Sequence, residues 1–252
     1  MQTRKPLIAG NWKLNKTCSE TIEYLKDFNN LVEGIDDVDI MIAPPFTSLY
    51  VASQNCSDNI KISSQNNYIK ESGAYTGQIS PSMINEAGCD YAIVGHSEMR
   101  EFFGDNDILV NEKIKAAINA ELKPIFCVGE TEKQRDDGKT FSVLDKQVRK
   151  GLEEFSERDL KDLVIAYEPV WAIGTGKTAT IEIVQEVHGF LRDLLSKMFR
   201  KEFSETIRIL YGGSVKPSNV KDLMALQDVD GALVGGASLD PLEFSKIVKF
   251  KG

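Results

Sequence analysis

Eight short apolar runs recur along this chain of 252 residues, at intervals of roughly thirty residues. They are almost continuously apolar rather than alternating, which is typical of parallel strands that are buried on both faces of a sheet. The runs occupy residues 6–13, 38–45, 60–66, 91–97, 123–130, 163–170, 207–214 and 231–238. Parallel strands require a crossover segment between them, usually a helix, so this pattern limits the possible folds strongly.

The segments between the runs carry helical patterns and helix-start signals. Two apolar stripes have helical spacing: Phe141, Leu144, Val148, Leu152 and Phe155, and Ile22, Leu25, Phe28 and Val32. Capping signals are predicted at Thr17, Ser80, Thr131 and Asp240. Eight strand–helix units in a chain of this length predict an α/β fold, a closed (β/α)8 barrel in which residues 1–252 form a single domain.

Composition limits the function that this chain can have. It carries 30 lysines and arginines against 38 aspartates and glutamates, a formal net charge of −8, which argues against nucleic-acid binding. No apolar stretch has transmembrane length, so we expect no membrane partner. The four cysteines, Cys18, Cys56, Cys89 and Cys127, are too widely spaced for a zinc or disulfide pattern. We therefore expect free thiols, no metal site and a cytoplasmic location.

In a barrel of this kind the active site is built at the carboxyl ends of the strands. The residues at the ends of the apolar runs are almost all polar or glycine: Asn11, Lys13, Asn66, His96, Glu98, Cys127, Glu130, Glu168, Gly212, Gly213, Ser214, Gly235 and Gly236. A purely structural barrel would not need this concentration of polar residues. We therefore expect the functional site at this end of the barrel.

The strand ends suggest acid–base chemistry on a small phosphorylated molecule. Glu168 is a candidate general base, because a carboxylate in a partly apolar pocket can have a raised pKa. His96 lies near a helix start, where the neutral imidazole is favoured and can donate a hydrogen bond to a carbonyl. Lys13 supplies a point charge for an anion. The glycine pairs 212–213 and 235–236 let a phosphate approach the main chain closely.

Two further titratable residues are interpreted as structural. His188 lies at helical spacing with several apolar residues and is expected at the edge of a packed helix face. Glu130 directly precedes the expected cap of the next helix, and the argument for a catalytic role is weaker than for Glu168.

Three alternative functions remain to be weighed. The segment 166–178, AYEPVWAIGTGKT, ends like a nucleotide-binding phosphate loop, but Trp171 stands where that loop needs its first glycine. A barrel aldolase could use Lys13 as a Schiff-base nucleophile, although its neighbours provide no obvious desolvation or cation. A sugar-phosphate binder without catalysis would need no general base such as Glu168.

Motifs along the whole chain resemble those of the triosephosphate isomerase family. In chain order they are NWK (11–13), QN (65–66), GxYTGQISP (73–81), VGHSE (94–98), CVGE (127–130), AYEPVWAIGTGK (166–177), YGGSV (211–215) and LVGGASL (233–239). The resemblance implies a TIM barrel without a cofactor. It also implies interconversion of dihydroxyacetone phosphate and D-glyceraldehyde 3-phosphate by proton transfer through an enediolate.

The resemblance further implies a role for individual residues. Glu168 would be the base, His96 the electrophile and Lys13 the electrostatic partner. Contacts with the substrate are implied for Asn11, Lys13, Gly174, Ser214, Gly235 and Gly236, with Glu98, Cys127 and Thr76 in supporting positions. Residues 172–175 would form the tip of a lid, with hinges at 169–171 and 176–178.

The resemblance also implies a homodimer. The segment 67–78 is long for a loop between a strand and a helix. By resemblance it would insert into a second subunit and place Thr76 near the partner subunit's Lys13. The family usually reads GHSERR where this chain reads GHSEMR at 95–100, so Met99 replaces an arginine that normally lies near the subunit interface.

Overall fold

The strands form a closed barrel in this computed structural model, which describes residues 4–173 and 178–252. The strands in those ranges are β1 (Leu7–Asn11), β2 (Asp39–Ala43), β3 (Ile60–Ser64), β4 (Tyr91–Val94), β5 (Lys123–Val128), β6 (Val164–Tyr167), β7 (Arg208–Tyr211) and β8 (Gly231–Val234). They pair in chain order, all parallel, and β8 pairs with β1. Each predicted run contains one strand, and the predicted (β/α)8 barrel is confirmed.

Helices follow the strands and surround the barrel. In the described ranges they are α1 (Cys18–Leu31), α2 (Leu49–Asn55), α3 (Pro81–Glu86), α4 (Ser97–Phe102), α5 (Asp107–Asn119), α6 (Glu132–Asp136), α7 (Thr140–Gly151), α8 (Ile181–Met198), α9 (Lys201–Ser204), α10 (Val220–Met224) and α11 (Pro241–Val248). Among these helices, none has the length and apolar character needed to cross a membrane.

The core has two layers, one inside the barrel and one between the barrel and the helices. Successive residues of a strand point to opposite faces. In β1, Leu7 and Ala9 belong to the inner cluster, while Ile8 between them belongs to the outer one. Both faces of β1 are therefore covered, which explains why its run is continuously apolar.

The helix starts follow the predicted capping signals. Thr17 accepts a hydrogen bond from the main-chain N–H of Glu20, whose carboxylate accepts one from the N–H of Thr17. The other predicted caps, at Ser80, Thr131 and Asp240, are also formed. These caps satisfy amides that the first turn of a helix leaves without a partner.

The apolar stripe from Phe141 to Phe155 continues beyond its helix. Helix α7 ends at Gly151, and the chain then turns through Glu154, whose φ of 68° lies in the left-handed region. Leu152 is buried after the helix has ended, and Phe155 packs against the same core. The stripe is therefore completed by a turn, although its spacing in the sequence is helical.

Candidate active site

The predicted site residues meet in one cavity at the carboxyl ends of the strands. Its volume is about 340 Å³. The predicted residues that line it are Asn11, Lys13, His96, Glu168, Ser214, Gly235 and Gly236. They come from the ends of β1, β4, β6, β7 and β8, so the barrel brings together residues that are far apart in the chain. Predicted residue Gly174 lies outside the described residues.

Lys13 is held in an unusual conformation just after β1. Its φ of 53° is uncommon for a residue with a side chain, and such strain is often found at functional sites. The main-chain N–H of Lys13 donates to Asn11 Oδ1 at 3.1 Å, and Gln65 Nε2 donates to the Lys13 carbonyl at 2.9 Å. The ammonium group lies 2.7 Å from Glu98 Oε1. These contacts fix the main chain of Lys13 and the position of its ammonium group.

His96 lies at the N-terminal cap of α4. Its Nδ1 accepts a hydrogen bond from the main-chain N–H of Glu98 at 3.2 Å, so Nδ1 carries no proton in this contact. The other ring nitrogen, Nε2, lies 2.9 Å from Oε1 of Glu168. The ring is buried, and the helix start therefore orients Nε2 as the donor toward the cavity.

Glu168 follows β6 and is 2% exposed. Its main-chain N–H donates to the carbonyl of Val128 at 2.8 Å, which continues the pairing of β6 with β5. Its Oε2 accepts the main-chain N–H of Ser97 at 2.9 Å. A Cβ on Gly212 would lie 3.0 Å from Glu168 Cγ, so a glycine at this position leaves room for the carboxylate.

The contact between His96 and Glu168 governs the pKa values of both groups. Burial raises the pKa of Glu168, but the neighbouring His96 and the Ser97 N–H outweigh burial and bring it below its ordinary value. Burial lowers the pKa of His96, but the Glu168 carboxylate more than offsets this effect and raises it. The expected raised pKa of Glu168 and the favoured neutral form of His96 are therefore not met in this paired arrangement. Both expectations require a ligand that separates the two side chains.

The predicted phosphate-binding glycines lie on the side of Lys13. A Cβ at Gly235 would lie 3.8 Å from Lys13 Cε, while a Cβ at Gly236 would meet nothing within 4 Å. Gly236 begins a short 3-10 helix, Gly236–Leu239, and Ser238 Oγ donates to the Gly235 carbonyl at 2.7 Å. This turn places main chain, rather than side chains, beside the ammonium group.

The three predicted supporting residues occupy different places. Glu98 lies at the edge of the site, where it pairs with Lys13. Cys127 is fully buried inside the barrel, and burial, followed by the Glu168 charge, raises the pKa of its thiol. Thr76 is exposed on the loop after β3 and does not line the cavity. Within one chain, the structure therefore does not bring Thr76 to the other site residues.

The sequence interpretation assigned no individual role to Gln65 and a structural role to Glu130, and both residues shape the site. Gln65 also donates to the Ala43 carbonyl at 2.8 Å, so it joins the ends of β1 and β2. Glu130 is fully buried, and its Oε1 accepts from Trp171 Nε1 at 2.9 Å and from the Tyr167 hydroxyl at 3.1 Å. Gln65 stands in the quoted motif QN, and Glu130 stands in CVGE and among the polar residues at the strand ends.

His188 and Glu130 were both predicted to be structural, and the structure corrects the predicted position of His188. His188 is fully buried in α8, and its Nδ1 lies 3.0 Å from the carbonyl of Asp228, so it is deeper than the edge of a helix face. Burial lowers its pKa to about 4. Glu130 does not line the cavity and instead holds the segment that follows Glu168.

The fold and the cavity define the class: a (β/α)8 barrel with a cavity lined by ionisable side chains at the carboxyl ends of its strands. Comparison with known proteins identifies the family of this chain. The family model described as triosephosphate isomerase matches residues 6–251. The chain belongs to the triosephosphate isomerase family.

Relatives of similar length share about half of their residues with this chain. A triosephosphate isomerase of Endomicrobium trichonymphae is 52% identical over 248 residues, which cover 98% of this chain and 99% of the relative. One of Geobacter metallireducens is 52% identical over 249 residues, and one of Dictyoglomus thermophilum is 50% identical over 247, with the same coverage of 98% and 99%.

Proposed function

We propose that this chain interconverts dihydroxyacetone phosphate and D-glyceraldehyde 3-phosphate, and that Glu168 and His96 move the protons. The observation that carries the proposal is the position of these two residues, whose reactive atoms lie 2.9 Å apart at the wall of one cavity that Lys13 also lines. A base and a hydrogen-bond donor on the same cavity suit proton abstraction next to a carbonyl.

The reaction requires one proton to leave carbon and one to reach oxygen. Glu168 removes a proton from the carbon next to the carbonyl, and the electron pair moves onto the carbonyl oxygen. His96 Nε2–H donates to that oxygen and stabilises the enediolate. The proton of the neighbouring hydroxyl group then passes to the enediolate oxygen by way of His96 Nε2, which yields the other enediolate. Return of the proton from Glu168 to the former carbonyl carbon gives the isomeric triose phosphate, so no atom is gained or lost overall.

The substrate must separate His96 from Glu168 before it can react. The carbonyl takes the place of the carboxylate at His96 Nε2, and the carbon to be deprotonated faces Glu168. Loss of the imidazole contact raises the pKa of Glu168 relative to the paired arrangement, because the charged carboxylate loses a stabilising partner while its burial remains. The substrate thereby makes Glu168 a stronger base than it is in the free enzyme.

We assign the phosphate group to the Lys13 side of the cavity. Asn11, Lys13, Gly174, Ser214, Gly235 and Gly236 are the proposed substrate contacts. The Lys13 ammonium, which lies 2.7 Å from Glu98, offers charge, and the adjacent glycine turn offers main-chain approach. Glu98 and Cys127 support the site by holding Lys13 and by filling the barrel next to Glu168.

We also propose a homodimer in the cytoplasm. Tyr75, Phe102 and Phe103 are 42%, 66% and 70% exposed, and such aromatic exposure favours a partner surface. The four cysteines are free thiols, which suits a reducing compartment. A second copy of the chain would cover this apolar surface and bring Thr76 to the partner subunit's Lys13.

An assay of aldehyde formation from dihydroxyacetone phosphate, coupled to an aldehyde-consuming dehydrogenase, tests the proposed function. We expect turnover by the parent and almost none by Glu168→Gln. A parent enzyme that binds dihydroxyacetone phosphate and forms no aldehyde would support the non-catalytic binder instead.

A further inference from the structure

The side chain of Gln147, in helix α7, bridges both hydrogen-bonding groups of Gly129. The Gly129 N–H donates to Gln147 Oε1 at 2.8 Å, and Gln147 Nε2 donates to the Gly129 carbonyl at 3.0 Å. One amide side chain thereby uses its acceptor and one of its donors on a single residue. This pair of bonds fixes the orientation of the peptide groups on both sides of Gly129.

Gly129 lies directly against the main chain of Glu168. A Cβ on Gly129 would lie 1.8 Å from the Glu168 carbonyl oxygen and 2.7 Å from its carbonyl carbon. No side chain fits between these two segments, so any displacement of Gly129 must move the main chain of Glu168.

The residues on either side of Gly129 form hydrogen bonds with the segment 168–170. Val128 accepts the Glu168 N–H at 2.8 Å, and the Glu130 carbonyl accepts the Val170 N–H at 3.2 Å. The turn 128–130 therefore fixes the main chain from 168 to 170, and with it the direction in which the Glu168 side chain leaves the main chain.

The turn 128–130 borders a cavity on the side of Gln147, where packed side chains could otherwise support it. This cavity has a volume of about 560 Å³, and its lining includes Gly129, Gln147, Glu168 and Val170. Where a cavity replaces packed side chains, the dispersion contacts that would resist displacement are missing. The two hydrogen bonds between Gly129 and Gln147 then hold the turn on this side.

We propose that Gln147 is a positioning residue that aims the Glu168 carboxylate through the main chain of Gly129. The inference rests on the base role proposed for Glu168. Gln147 lines the larger cavity and not the smaller one that holds the proposed substrate contacts. Its loss should therefore lower the rate of proton abstraction and leave binding of the phosphate group unchanged.

The test compares two glutamine variants that lose similar bonds at different places. Gln147→Met keeps the length of the side chain and removes both bonds to Gly129. The control is Gln185→Met, because Gln185 also makes two contacts to one residue before β8 begins. Its Nε2 donates to Asp228 Oδ2 at 2.7 Å, and its Oε1 accepts from the Asp228 N–H at 3.5 Å. Both glutamines are partly buried, and the Gln185 contacts lie near the amino end of a strand, away from the site.

We expect Gln147→Met to lower kcat between about tenfold and about a hundredfold, since a misplacement of about 1 Å has an effect of this size. KM for the triose phosphate and the inhibition constant of inorganic phosphate should stay within about twofold of the parent values. Gln147→Met and Gln185→Met should lower the melting temperature by similar amounts. Gln185→Met should leave kcat unchanged. Equal kcat values in the two variants would overturn the inference.

A double-mutant cycle with Glu168→Asp tests the route of the effect. Glu168→Asp shortens the side chain by one methylene group and moves the carboxylate away from the substrate. The orientation that Gln147 imposes on the main chain should therefore affect the rate less in this variant. The loss from Gln147→Met should be smaller in that background than in the parent, whereas strictly additive losses would contradict a path through Glu168. Full activity of Glu168→Gln would refute the base role itself, which is a different result from full activity of Gln147→Met.

Discussion

His96 Nε2 and Glu168 Oε1 are in direct contact, at 2.9 Å. The pair closes the place where a carbonyl group and its neighbouring carbon would have to lie. Each group thereby supplies the other with a partner while both are buried, which avoids leaving an unpaired charge in the barrel. Binding of a substrate consequently replaces one set of hydrogen bonds with another.

The first prediction concerns the base. Glu168→Gln keeps the shape of the side chain but cannot accept the proton, so kcat should fall by about 10² to 10⁴, the usual contribution of a general base. Binding of the substrate should persist, because the Lys13 side of the cavity is unchanged. Steady-state kinetics and equilibrium binding of an unreactive phosphate-bearing analogue measure the two effects. Turnover within a few-fold of the parent would remove Glu168 from the mechanism.

The second prediction concerns the chemistry of Lys13. The Lys13 ammonium is held in an ion pair 2.7 Å from Glu98, a geometry that favours a role as a point charge over a role as a nucleophile. Borohydride treatment in the presence of dihydroxyacetone phosphate should therefore leave the mass of the protein unchanged. Lys13→Met should weaken binding of inorganic phosphate. A reduced adduct at Lys13 would instead support the Schiff-base aldolase.

The third prediction is a pH dependence of stability that arises from His188. Its folded-state pKa of about 4 lies below the ordinary value of 6.5, chiefly because the ring is buried, with Arg192 opposing protonation while Asp228 and Asp230 favour it. As pH falls from 6.5 to about 4, the unfolded chain binds a proton that the folded chain does not. The stabilisation is thus present above 6.5 and lost across this interval, by about 3 kcal/mol in total.

Denaturant unfolding of the parent and of His188→Gln, at several pH values between neutral and about 4, isolates this contribution. Both proteins share every other titrating group, so the difference between their pH profiles belongs to His188. We expect the parent to lose more stability than the variant as the pH falls. Parallel profiles would show that His188 does not titrate in this way.

The fold was predictable because two independent patterns agree. Buried parallel strands gave apolar runs, and capping residues such as Thr17 and Asp240 marked the helix starts between them. The site followed from the topology, since the carboxyl ends of all strands meet at one end of the barrel. Those two facts were sufficient to predict that Lys13, His96 and Glu168 lie close together, as they do in the cavity.

Other features depended on contacts that no local pattern encodes. Gln147 occupies an ordinary position of a helix, and only the packing of α7 shows that it reaches Gly129. The pairing of His96 with Glu168 depends on side-chain conformations, so the pKa directions of the free enzyme were not evident from the sequence. The end of α7 at Gly151 was also hidden, because the apolar stripe continues through the turn.

The last prediction concerns assembly through the loop after β3. The N–H of Tyr68 donates to the carbonyl of Ile79 at 2.9 Å, which closes the base of this loop, and residues 70–78 beyond it are exposed. An exposed arm of this length, with Tyr75 near its tip, is typical of a segment that packs into a partner. Sedimentation should therefore give a mass of twice 28.0 kDa for the parent.

Replacing residues 69–78 with two glycines should give a folded species of about half the parent's mass, because the closed base of the loop is kept. Its activity should fall, since Thr76 would no longer reach the partner subunit's Lys13. Thr76→Val is the matched control: it should remain dimeric, so that any loss of activity in it reports the side chain rather than assembly. A parent that sediments as a fully active monomer at assay concentration would refute both the dimer and the role of Thr76.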